Sequence, residues 1–186
     1  MRRLLNGLYL LSGGLAAFFI LAICAVVMAQ VMLNLADRIA SFTFGEAIGL
    51  TIPSYADFTG FFLAASSFLA LAYTLRSGGH IRVTLLITML SGRTQRLFEI
   101  WSVGLVMIIT IFIAWYAISL THESFVYGDL SSGMVAVPLW IPQSFVAFGL
   151  VVLAIALVDE FICLLSGKAA SYADKGEGLL AGGEKE

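Results

Sequence analysis

The chain has 186 residues, of which 60% are hydrophobic and 12% charged, with a formal net charge of −2. A soluble domain of this size carries about twice that charged fraction, so composition excludes an ordinary water-soluble fold and no nucleic-acid partner is expected. Four windows reach the roughly 20 mostly apolar residues that a bilayer crossing needs, and in hydrocarbon each must be helical because no water is present to satisfy its backbone.

The spans expected are approximately 8–35, 56–76, 98–121 and 139–165. They form a single four-helix transmembrane domain over residues 1–165, followed by a flexible tail at 166–186 that is rich in Gly and charge. The fold class expected is therefore an all-α integral membrane protein. The opening MRRLL and the Val27-Met28-Ala29 triplet resemble a secretory leader, but the uncharged run from Leu4 to Ala36 is far longer than the apolar core of about 7–15 residues that such a leader carries. The first helix is expected to be retained.

Within that helix Gln30 and Asn34 are the most polar residues, and interhelical hydrogen bonds are enough to explain them. Cys24 lies near its middle and Cys163 near the inner end of the fourth helix. These depths suit packing residues better than a disulfide, whose Cα atoms lie within about 7 Å. The loop after the first helix, residues 37–57, holds FTFGEAIGLTIPSY, too apolar for a solvated linker. It is expected to dip into the interface or to meet a partner, and Pro53 stops any helix there.

The second helix carries Ala56, Gly60, Ala64 and Ser67 at i, i+4, i+8 and i+11, a small-residue stripe that lets another backbone approach closely. Packing of the four helices against each other is the preferred reading, and contact with another subunit is the second. Ser77-Gly78-Gly79 then breaks the helix, with Arg76 in its last turn complementing the dipole and the headgroups. Residues 81–90 place Leu85, Leu86, Met89 and Leu90 on one face beside Arg82, the pattern of a short amphipathic helix lying in the interface between the second and third spans.

Orientation follows from the cations. Arg2, Arg3, Arg76, Arg82, Arg93, Arg96, Lys168, Lys175 and Lys185 share one side, leaving only Arg38 of the ten on the other. The positive-inside rule puts both termini and the central loop in the cytoplasm. Tyr9, Tyr73 and Trp101 near the inner boundary, with Tyr55, Tyr116 and Trp140 near the outer one, form the matching aromatic belt.

No Asp, Glu, Lys, Arg or His falls in the middle of a span. Asp57, Glu99, Asp159 and Glu160 are all at helix ends, where they are expected to reach water or headgroups. Ion pathways and substrate sites usually need ionisable groups at membrane depth, so an accessory role is indicated rather than unaided transport. The two histidines, His80 and His122, fall on opposite sides of the bilayer and cannot share a haem. No metal-ligand spacing or nucleophile motif is visible, so no cofactor, metal or catalytic residue is assigned. A repeat of two inverted helix pairs is conceivable but not visible in the residues.

Two loop segments then carry a resemblance. Arg76-Ser-Gly-Gly79-His80-Ile-Arg82-Val83 resembles the signature of the small membrane subunit (DctQ-like) of tripartite ATP-independent periplasmic (TRAP) transporters. Ser131-Ser-Gly-Met-Val-Ala-Val-Pro138-Leu-Trp140 is similar to that family's polar stretch, proline and tryptophan at the entry to the fourth helix. The resemblance implies a non-catalytic subunit in a bacterial inner membrane, bracing a large multi-helix transport subunit and helping a periplasmic substrate-binding protein to dock. It also implies sodium-coupled uptake of an organic acid. Arg76, Gly79, His80, Arg82 and Val83 would then anchor the central loop to headgroups or to the partner. A self-sufficient homo-oligomeric transporter or channel is the competing reading, and a redox membrane anchor the third.

Overall fold

The structure, a computed structural model, describes residues 2–46, 48–77 and 92–166. Four helices account for nearly all of them: α1 Arg2–Phe44, α2 Tyr55–Ser77, α3 Gly92–Tyr127 and α4 Trp140–Leu165. All four are long and apolar enough to cross a membrane. The interfacial helix expected at 81–90 and the tail at 167–186 lie outside the described residues.

Each helix end has a local cause. Pro53 lacks an N–H and precedes a turn at Ser54, after which α2 starts with Asp57 in its first turn and ends with Arg76 in its last, both complementing the dipole. Gly128, at φ 68°, supplies the left-handed residue that ends α3, and Asp129 N–H then donates to the Ser124 carbonyl at 3.1 Å, closing the terminal turn. Helices α1 and α3 run past the apolar windows, since a helix continues wherever its backbone can bond to itself and a span counts only what lipid covers.

The helices stand in a row rather than in a closed bundle. α1 packs on α2, α2 on α4 and α4 on α3, while α1 touches α4 only lightly. In the first interface Asn6 meets Arg76, Ser12 faces Leu69 and Phe19 meets Phe62, so α1 and α2 are antiparallel. Gly104 under Phe161 and Phe125 beside Trp140 make α3 and α4 antiparallel too. The α2–α4 contact is parallel: Phe68 meets Gly149 and Arg76 meets Asp159. The two hairpins therefore enter the row with the same sense across the membrane rather than inverted.

The core lies where α1, α2 and α4 converge. One cluster joins Tyr9, Ala72, Val152 and Ala156, and a second joins Ala16, Phe19, Ala65 and Leu69. The Phe19 ring sits edge-on to Phe145 at 4.9 Å and tilted on Phe62 at 5.5 Å, linking the three helices through aromatic contact. Ser12 Oγ donates to the Leu69 carbonyl at 2.5 Å, which satisfies a hydroxyl that would be costly to leave bare in an apolar interior.

Gly149 sets the closest approach of α2 and α4. A Cβ there would stand 2.6 Å from the Phe68 carbonyl carbon, a backbone atom that cannot rotate away. Gly149→Leu should therefore force the two helices apart, at about 2 kcal/mol or more. Gly60→Ala meets nothing within 4 Å and should gain up to about 1 kcal/mol from helix propensity. Apparent melting temperatures of the two variants in detergent should move in opposite directions from the wild type.

Candidate functional site

At the end of the row that the cation distribution assigns to the cytoplasm, called inner below, Arg76 is the meeting point of three helices. Its Nη1 lies 2.9 Å from Asp159 Oδ2 and 3.7 Å from Glu160 Oε1, both on α4. Its Nη2 donates to Asn6 Oδ1 of α1 at 2.9 Å. The guanidinium carbon stands 5.3 Å from the centre of the Tyr9 ring, within the range of a cation–π contact. The rigid fork of the guanidinium lets one side chain bond to two helices at once, which a lysine ammonium on its flexible stem does less well.

The burial of this cluster differs from the expectation that Asp159 and Glu160 reach water or headgroups. Glu160 is 1% exposed. Because α4 is the middle helix of the α2–α4–α3 series, the end of α4 has neighbours on two sides and the glutamate is covered. Asp159 keeps partial access, at 24% of its side chain. Arg96, on α3, donates from Nη2 to the Leu164 carbonyl at 3.1 Å, closing the terminal turn of α4 from the other side. Two arginines thus brace the inner end of α4 from α2 and from α3.

The outer end has a matching clasp. Residues 129–139 form a narrow loop: Ser131 N–H donates to the Val137 carbonyl at 2.9 Å, and Leu139 N–H to the Asp129 carbonyl at 2.9 Å. Ser131 Oγ accepts from Val137 N–H at 3.0 Å, holding the loop from within. Pro138 bridges to Leu130, and Trp140 opens α4 with its ring edge-on to Phe125 at 5.6 Å. The loop seats on the start of α2, where Val135 N–H donates to Ser54 Oγ at 2.9 Å and a Cβ at Gly133 would collide with the Asp57 carboxylate. Ser131, Pro138 and Trp140 are therefore brought together with Ser54 and Asp57, two residues that the sequence reading did not connect to them.

The remaining expected residues are placed differently. Gly79, His80, Arg82 and Val83 lie outside the described residues. In the small-residue stripe, Ala56, Gly60 and Ser67 face outward and Ala64 is half-buried. The seam inside the chain runs one position over, on Ala65, Ser66, Leu69 and Ala72. Ala64 borders a recess of about 200 Å³ between α2, α3 and α4, with Phe61, Ala117, Pro142 and Val146. Gln30 and Asn34 serve the chain's own loop: Gln30 Nε2 donates to Thr51 Oγ1 at 3.0 Å and to Asn34 Oδ1 at 2.9 Å, and its Oε1 accepts from Ile52 N–H at 2.8 Å. Cys24 faces outward and Cys163 is half-buried. Among the described residues, no three His, Cys, Asp or Glu side chains gather as a metal would require.

Asn6, Tyr9, Asp159 and Glu160 were not singled out as partners of Arg76 from sequence. The usable signal was depth: two adjacent carboxylates near the inner end of one helix and an arginine at the inner end of another lie at the same height. What was missing was that α2 and α4 are neighbours.

A family model described as tripartite ATP-independent periplasmic transporters, DctQ component, matches residues 19–167. No curated protein and no solved structure matches the chain.

Removing Arg76 would leave Glu160 buried without the guanidinium, the situation that costs about 3–5 kcal/mol for a broken buried pair. Arg76→Leu should lower the melting temperature in detergent sharply. Adding Asp159→Asn and Glu160→Gln to that variant should recover part of the loss, because the carboxylate charges that faced the guanidinium are then gone. An unchanged melting curve for Arg76→Leu would mean that the cluster does not hold the helices together.

Proposed function

Since the chain belongs to the DctQ family, the small membrane component of TRAP transporters, we propose that it is a rigid brace for the large transport subunit and takes no part in chemistry of its own. On this reading the large subunit moves the substrate, and the periplasmic substrate-binding protein delivers it to a platform to which this chain contributes. The cargo is an organic acid and the driving force a sodium gradient. The chain lies in the bacterial inner membrane, multi-pass, with both termini cytoplasmic as its cation distribution implies.

The observation that carries the reading is the fastening of the two hairpins at three heights. The outer clasp joins Val135 to Ser54, Gly149 touches the α2 backbone in the middle, and Arg76 holds Asp159 at the inner end. An element that must change conformation to move solute needs contacts that break and reform. Here the α2–α4 interface is held at both ends and at its centre, which suits a stationary part. The central-loop residues Gly79, His80, Arg82 and Val83 are assigned to anchoring, either on headgroups or on the large subunit.

Reconstitution tests this directly. Vesicles holding this chain alone, the large subunit alone, or both should be given the binding protein, a candidate organic acid and an inward sodium gradient. Uptake is expected only with both membrane subunits and the binding protein present. Flux through this chain alone would overturn the proposal in favour of a self-sufficient homo-oligomeric transporter or channel.

A further inference from the structure

We draw no further inference here: the strongest candidate, the exposed apolar face of α1 that Met28, Met32, Leu35 and Ile39 form opposite Gln30, Asn34 and Asp37, carries none because nothing in the structure shows what covers it.

Discussion

One guanidinium organises the inner half of this molecule. Arg76 bonds to Asp159 on α4 and Asn6 on α1 while belonging to α2, so three helices are brought to a common depth by a single side chain. The hydrophobic effect gives little help in that task, because lipid tails are as apolar as the helices themselves. Association in the membrane depends on close contact and on polar groups that find each other. With Glu160 buried beside it, Arg76 is bound to α4 by the high cost of separating charges at low dielectric.

The rest of the architecture extends that constraint along the membrane normal. Once Arg76 fixes the register of α2 against α4, Phe68 falls at Gly149, and only a residue without a Cβ admits the backbone there. One more step outward, Ser54 and Asp57 fall under the loop that holds Ser131 and Gly133. The central pair is thus held over its whole length. α1 and α3 attach on either side of it, each turning a long apolar face outward. A row of this kind has two edges and two broad faces, whereas a closed bundle would have hidden most of the same surface.

That distinction bears on what a transporter component can do. The DctQ family is defined by its place in a three-part system, and a row fixed at both ends offers broad apolar surface. The outward stripe of Ala56, Gly60 and Ser67 on α2 is a surface of this kind.

The sequence alone determined the number of spans and their helical state, because hydrocarbon does not tolerate unbonded backbone. It also carried the two loop motifs that led to the family. It could not give the order of the helices in the row. In a chain this apolar nearly every helical position reads as buried, so periodicity does not say which face meets a neighbour. Glu160 is the clearest case: its position near a helix end suggested access to water, and only the placement of α2 beside α4 made it a buried partner of Arg76. The stripe on α2 shows the same limit, since small residues mark where a backbone can approach and not whose.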